Sequence, residues 1–600
     1  MLTPAVIGGL LVCGCSLLLR ETTFLDGADA GAMDASVDAE VVEDAAGSGD
    51  ADVPDGAARL DGGEGLHAPL ARFPWNGYAT GSLVALRPRL VWDAVAEADH
   101  YQVQMDDSCE VREFRACGFE TPEIDEMVTA PSFTPRAPLT VSGLPPVGRR
   151  YTWRVRACRA GGECSDWTEP RYLRVGQSDD DFDGDGRGDV LIGTRLSRVF
   201  AYHGPLESEP APQTTLAFPG PATGRSGYAS VAKAGDVNGD GYADALIGIP
   251  DTSNPELREG NAYLYLGGPD GLSDTPSVTF DNPLNRVNGW FGGTVRGVGD
   301  FDGDGYGDVA IAASGQDAVY VYLGGPAGPA ATSSFTLAGA AASGFGQTLG
   351  APGDTDGDGY VDLLVTEFVD LGGGGTVDDV GRVHVFSGGT SPSELATRVL
   401  TSPEMPPARL GGSLMVRAAD FDRDGFADAV VGTSVAPGPS GSHEGRVFVF
   451  PGSRSGLGDR APIVLHSPIS QAWGFFFVTG VGDLDADGHS DLVVGAPLQN
   501  GDGGTTQRVG NAFRYLGSPA GLSAAMRVVQ TPTSENGSFG SVISVVDIDG
   551  SGSAHALIAA PGVERGGVYG YPSGDPTSPP RFVLTSPIAD DAASFGTSME

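Results

Sequence analysis

Between Asp181 and His555 a short acidic run built around one glycine recurs seven times, each copy followed by an apolar segment. This repetition constrains the fold more than any other feature. Clear copies are Asp181-Phe182-Asp183-Gly184-Asp185-Gly186-Arg187-Gly188-Asp189 and Asp300-Phe301-Asp302-Gly303-Asp304-Gly305-Tyr306-Gly307-Asp308. Calcium takes about six to eight hard oxygen ligands at roughly 2.3–2.6 Å, so carboxylates at positions 1, 3, 5 and 9, with a backbone carbonyl at 7, suit one Ca2+ ion per loop. The glycine at position 6 permits the sharp turn, because only glycine takes a positive φ without steric cost.

The candidate ligands are Asp181, Asp183, Asp185 and Asp189 in the first loop, and Asp236, Asn238, Asp240 and Asp244 in the second. The third offers Asp300, Asp302, Asp304 and Asp308, and the fourth Asp354, Asp356, Asp358 and Asp362. Asp420, Asp422, Asp424 and Asp428 follow in the fifth, then Asp483, Asp485, Asp487 and Asp491 in the sixth. The seventh keeps only Asp547 and Asp549, with Ser551 and His555 at positions 5 and 9. Six well-formed calcium sites and a degenerate seventh are therefore expected. A helix-flanked calcium loop would need an acidic residue at position 12, where this chain has Ile192 or Ile311. Short apolar runs such as Val190-Leu191-Ile192 instead read as buried β-strands.

The loops restart at intervals of 55, 64, 54, 66, 63 and 64 residues. A period near sixty that holds several short strands predicts a propeller blade of four antiparallel strands. Three further elements recur in fixed order. Upstream stands a glycine-aromatic signal: Gly227-Tyr228, Phe291-Gly292, Phe345-Gly346, Gly474-Phe475 and Phe539-Gly540, with Leu410-Gly411 lacking the aromatic residue. Downstream comes a turn such as Gly248-Ile249-Pro250 or Gly495-Ala496-Pro497, then an alternating strand such as Val319-Tyr320-Val321-Tyr322-Leu323-Gly324. This order resembles the FG-GAP repeat of integrin alpha-chain propellers and their bacterial relatives, over residues 178–600. The resemblance implies an all-β fold with a seven-bladed propeller. The first loop has no Phe-Gly before it, and an orphan Phe595-Gly596 ends the chain, so the C-terminal strand is expected to complete the first blade.

Lys plus Arg number 36 against 78 Asp plus Glu, a net charge of −42. Nucleic acid is excluded as a partner, because phosphate binding needs a positive footprint. The start of the chain, an apolar stretch ending Val12-Cys13-Gly14-Cys15, resembles a bacterial lipobox. It predicts a signal peptide over 1–15, lipidation of Cys15 and export to the outer membrane or cell surface, although no basic residue precedes the apolar core. An uncleaved anchor over Leu2 to Leu19 is the alternative. Residues 16–66, rich in Ala, Asp and Gly, cannot build a core and form an acidic linker.

Residues 67–177 alternate like strands, as in Tyr151-Thr152-Trp153-Arg154-Val155, and suit a small two-sheet sandwich. Leu144-Pro145-Pro146-Val147-Gly148-Arg149-Arg150-Tyr151 resembles the tyrosine corner of a fibronectin type III domain. Its four cysteines, in an exported chain, predict two disulfides. Local pairs, Cys109 with Cys117 and Cys158 with Cys164, are favoured because each flanks a short connection.

Arg187-Gly188-Asp189 spells the tripeptide that integrins recognise, but it falls at loop positions 7 to 9, where Asp189 is committed to the metal. The eight histidines are scattered without a zinc or nucleophile signature. No enzyme is expected. The composite reading is a surface-displayed calcium-binding propeller that engages an extracellular or envelope protein or glycan. A secreted hydrolase, or its accessory part, is the competing reading.

Overall fold

A computed structural model of the chain describes residues 66–600 apart from internal stretches, the longest being 220–227, 370–379, 467–478 and 498–508. The expected signal peptide with Cys15, the linker up to residue 65, Gly227 and Gly474-Phe475 lie outside the described residues. Among the described residues the regular structure is β, with two 3-10 turns at Val111–Ala116 and Ser314–Gln316. No helix there is long and apolar enough to cross a membrane.

The N-terminal unit packs a three-stranded sheet (Ala71–Phe73, Leu90–Trp92, Ser132–Phe133) with a five-stranded sheet. Alternation along Arg149–Cys158 turns Tyr151, Trp153, Val155 and Ala157 into a core with Trp92, Tyr101 and Leu173. Burial of each large apolar side chain contributes about 1.5–3 kcal/mol. The Tyr151 hydroxyl donates to the Thr140 carbonyl at 2.8 Å, so its polar end is satisfied inside that core. Two disulfides staple the unit, Cys109–Cys117 and Cys158–Cys164.

From Val190 onward the chain forms seven four-stranded antiparallel sheets. The second runs Ser230–Gly235, Asp244–Ile249, Asn261–Tyr265 and Val278–Asp281, and the third Phe291–Gly299, Asp308–Ala313, Ala318–Tyr322 and Phe335–Ala338. Each acidic loop from the second to the seventh joins the first and second strands of its sheet. The described residues of the second strands are buried, for example all of Asp308–Ala313, because a neighbouring sheet covers each face. That explains why they read as continuous apolar runs rather than alternating ones.

One hydrophobic cluster lies between each consecutive pair of sheets. Leu246 and Leu264 of the second sheet meet Val309 and Ile311 of the third, and Leu557 and Val568 of the seventh meet Val190 and Phe200 of the first. The first sheet is completed from the far end of the chain: Ser598 pairs with Gly193 and Met599 with Ile192. Phe595 is fully buried, 6.1 Å from the Phe200 ring and 6.4 Å from that of Tyr202. Phe291, Phe345 and Phe539 pack in the same way on Tyr320, Phe386 and Tyr571. In the fifth sheet Leu410 is fully buried in the corresponding place. The all-β arrangement fits a β-propeller.

Candidate functional site

The acidic loops share one internal wiring, in which six of them, all but the third, bond position 6 to position 1. The position-1 carboxylate accepts the backbone N–H of the position-6 glycine through its Oδ2, at 2.8 Å from Gly186 to Asp181 and 2.9 Å from Gly425 to Asp420. Position 3 accepts the N–H of position 5, as from Asp304 to Asp302 at 3.2 Å. Position 5 accepts that of position 7, as from Tyr306 to Asp304 at 3.0 Å. The position-6 glycines have φ between 81° and 97°, the left-handed turn that brings these donors inward. In the first loop, carboxylate oxygens of Asp181, Asp183 and Asp185 lie within 4.8 Å of one another.

Position 9 has a second task that the spacing alone does not reveal. Asp308 takes the N–H of Phe301 at 2.7 Å on one oxygen and that of Gly324 at 2.7 Å on the other. Asp189, Asp244, Asp362, Asp428 and Asp491 repeat the pattern, each accepting from position 2 and from the glycine that ends the third strand. This carboxylate ties loop to sheet. The partner must be glycine, since a Cβ at Gly324 would sit 2.3 Å from the Gly307 carbonyl oxygen, and one at Gly267 2.2 Å from that of Ala243. The glycine closing each Val-Tyr-Val-Tyr-Leu-Gly motif is thereby explained. His555 cannot accept two such bonds in this way, so the seventh loop lacks the tie.

The residues present fit a hard cation. Oδ1 of Asp236, Asp300 and Asp420 is buried without a hydrogen-bond partner, in residues only 3–4% exposed. A buried carboxylate oxygen left in this state is costly, and a bound cation would satisfy it. Burial raises the carboxyls of Asp189, Asp244, Asp308, Asp362 and Asp428 well above the usual range. It raises Asp181 and Asp236 to about 7 and Asp424 to about 8. Without a cation these clusters resist carrying their full charge.

The N-terminal unit sits on this acidic face and addresses three successive loops in the same manner. At the third loop Arg174 pairs with Oδ2 of Asp300 at 2.8 Å, and Gln177 donates to the carbonyl of Gly305 at 2.6 Å. At the fourth, Tyr172 donates to Asp354 at 3.0 Å and Arg150 to the carbonyl of Gly359 at 3.0 Å. At the fifth, Arg171 lies 3.8 Å from Asp420 and Asn76 donates to the carbonyl of Gly425 at 2.6 Å. Each loop thus offers its position-1 carboxylate and position-6 carbonyl to one domain. Phe114, on the turn spanned by Cys109–Cys117, packs edge-on against Tyr172 at 4.9 Å and braces the contact.

Protein cations also enter loops directly. Arg460 reaches Asp422 at 2.7 Å and Asp424 at 3.0 Å, and Arg581 reaches Asp549 at 3.0 Å, beside His555. Burial pushes Asp549 up, but hydrogen bonds from Ser551 and Arg581 outweigh it and hold the carboxyl below its usual range. Arg187-Gly188-Asp189 is not presented as a recognition loop: Asp189 is fully buried in its tie and Arg187 pairs with Asp185 at 2.5 Å.

Residues 181–247 and 300–365 match the FG-GAP-like repeat family, and residues 475–508 match the FG-GAP repeat. The chain carries FG-GAP repeats. It is integrin-alpha-like: integrin alpha-PS5 of Drosophila melanogaster is 34% identical over 24% of this chain, and integrin alpha-IIb of Homo sapiens 38% over 24%. Integrin alpha-5 of Xenopus laevis is 33% identical over 34% of this chain. The chain spans only 15–20% of the length of these relatives. A solved structure titled a putative 6-phosphogluconolactonase from Bacteroides fragilis aligns over 67% of the chain at 12% identity and a TM-score of 0.38, which carries no argument.

Proposed function

We propose that the chain is a calcium-braced, seven-bladed propeller with a fibronectin type III-like domain seated on its acidic face, displayed outside the cell by a lipid on Cys15. It acts as a binding module for an extracellular or envelope protein or glycan. The complete acidic loops would hold Ca2+, whose charge offsets the repulsion among their carboxylates. The observation that carries this reading is the triple contact of the N-terminal unit with the third, fourth and fifth loops. That contact occupies the loop end at the third to fifth sheets, and the opposite end is proposed as the partner surface.

At that opposite end lie the connections from second to third strand and from fourth strand to the next sheet. They expose Leu196, Leu257, Leu284 and Val287 at 42–61%, on a rigid frame of the kind that commonly carries binding residues. A hydrolase would need a group with an appropriately placed pKa outside the metal loops; among the described residues Glu123, which burial and Asp107 raise to about 6, is one such group, on the N-terminal unit. Affinity capture by the exported chain, against envelope proteins and a glycan array, tests the reading. Specific capture that falls at least tenfold in L257S/L284S/V287S, with unchanged melting temperature, supports it. Turnover of an ester, phosphoester or glycoside, abolished by one substitution, supports the hydrolase instead.

A further inference from the structure

The sixth loop carries all four acidic positions, yet a side chain already stands across it. Arg514, on the third strand of that sheet, places Nη2 2.8 Å from Oδ2 of Asp491 and 3.5 Å from Oδ2 of Asp485. It therefore links position 9 to position 3, the two sides between which an ion would be held. The Arg514 side chain is 4% exposed, against 30% for Arg460 of the fifth loop, which touches only the adjacent positions 3 and 5. In the second, third and fourth loops no cationic side chain spans positions 3 and 9 among the described residues.

Sheet register identifies Arg514 as a substitution peculiar to this sheet. It pairs with Val493, two residues beyond position 9. The residues in equivalent pairing are Ala201 with Leu191, Leu264 with Leu246, Val321 with Ala310, Val385 with Leu364, Val449 with Val430 and Gly570 with Leu557. Six sheets use a small or aliphatic residue where the sixth uses arginine. A guanidinium buried among apolar strands is costly unless carboxylates answer it, and here two loop ligands do. A divalent ion placed between the same two carboxylates would lie within a few ångströms of that guanidinium in a poorly screened interior, where like charges repel strongly.

We propose that Arg514 is the resident counter-cation of the sixth loop, standing where calcium stands in the first five, so that this loop, although complete in acidic positions, closes without metal. The inference rests on calcium in the remaining loops. Its test is the number of calcium ions bound per full exported chain, counted by equilibrium dialysis with Ca2+ as the only added ligand. D302A, in the third loop, should lower the count by one. D485A, the same position in the sixth, should leave it unchanged. R514L, which installs the residue found at Leu264, should raise it by one.

A loss of one ion in D485A overturns the inference and leaves the calcium reading intact. No gain in an R514L protein of unchanged circular dichroism also overturns it. Should R514L fail to fold, D485A decides alone, because its side chain is 29% exposed and reaches solvent. A wild-type chain that binds no calcium overturns both readings.

Discussion

The third and sixth loops present the same carboxylates to opposite surroundings. Asp300 shares one oxygen with Arg174 of the N-terminal unit and keeps the other buried without a partner, while among the described residues no ion pair joins Asp302, Asp304 or Asp308 to a cationic side chain. In the sixth loop a cation from the loop's own sheet joins Asp485 to Asp491. Ligand spacing therefore defines a place for positive charge. On the proposed calcium reading, the neighbouring strand decides whether a metal or an arginine fills it.

Chelation should separate the two loops most sharply. Each ion bound only to the folded state contributes about 2.7 kcal/mol at a hundredfold excess over Kd. EDTA should lower the melting temperature and calcium restore it. Hydrogen exchange in EDTA should accelerate first in Asp308–Ala313, while Asp491–Ala496 keeps its protection. Equal acceleration in both strands would erase the distinction.

Next in size is the position-9 tie, common to both loops. Asp308→Ala leaves the N–H groups of Phe301 and Gly324 without acceptors, at about 1–3 kcal/mol each. Chemical denaturation should report a loss on the order of 4 kcal/mol, and Asp491→Ala a larger one, because it also strips the buried Arg514 of its nearer carboxylate. The seventh sheet, with His555 in that place, should be the earliest to open.

Arg174→Ala should then cost about 1.5–3 kcal/mol, the range for a hydrogen bond to a charged group. The cost should be larger in EDTA, where Asp300 loses both its cations, and limited proteolysis should cut the chain between the two units. Among the described residues no arginine of the N-terminal unit forms an ion pair with a carboxylate of the sixth loop, which pairs with Arg514 instead. Arg581→Ala, at an arginine 48% exposed, should change stability by less than about 1 kcal/mol.

The pH dependence has a definite sign. Without metal, Asp181 and Asp236 have folded-state carboxyls near 7, above their unfolded value. Their contribution to stability is fully present below the unfolded pKa of about 3.9 and is lost as pH rises through 7. The chelated chain should thus melt higher at pH 5 than at pH 8. Calcium should reverse the trend, because it requires the ionised form and releases protons on binding.

Much of this architecture was legible from residues. The sixty-residue period, the Phe-Gly signals and the orphan Phe595-Gly596 anticipated the repeated sheets and the C-terminal strand that pairs with Val190–Gly193. The contact between the domains was not legible. It joins residues 128 apart, as in Gln177 to Gly305, or 349 apart, as in Asn76 to Gly425, through donors with no local pattern. The position-9 tie was hidden because an aspartate that accepts two N–H groups is spelled like a metal ligand. Arg514 did leave a trace, as a charge in Asn511-Ala512-Phe513-Arg514-Tyr515 at the position where the other repeats carry a small or aliphatic residue, but its partners are defined only by the strand pairing.

The most direct test of loops as shared cation seats is a crystal grown with calcium and measured for anomalous scattering. The account predicts a peak beside Oδ1 of Asp236, Asp300 and Asp420, and none between Asp485 and Asp491, where the Arg514 guanidinium should be seen. A calcium peak in the sixth loop, or none in the third, would contradict it.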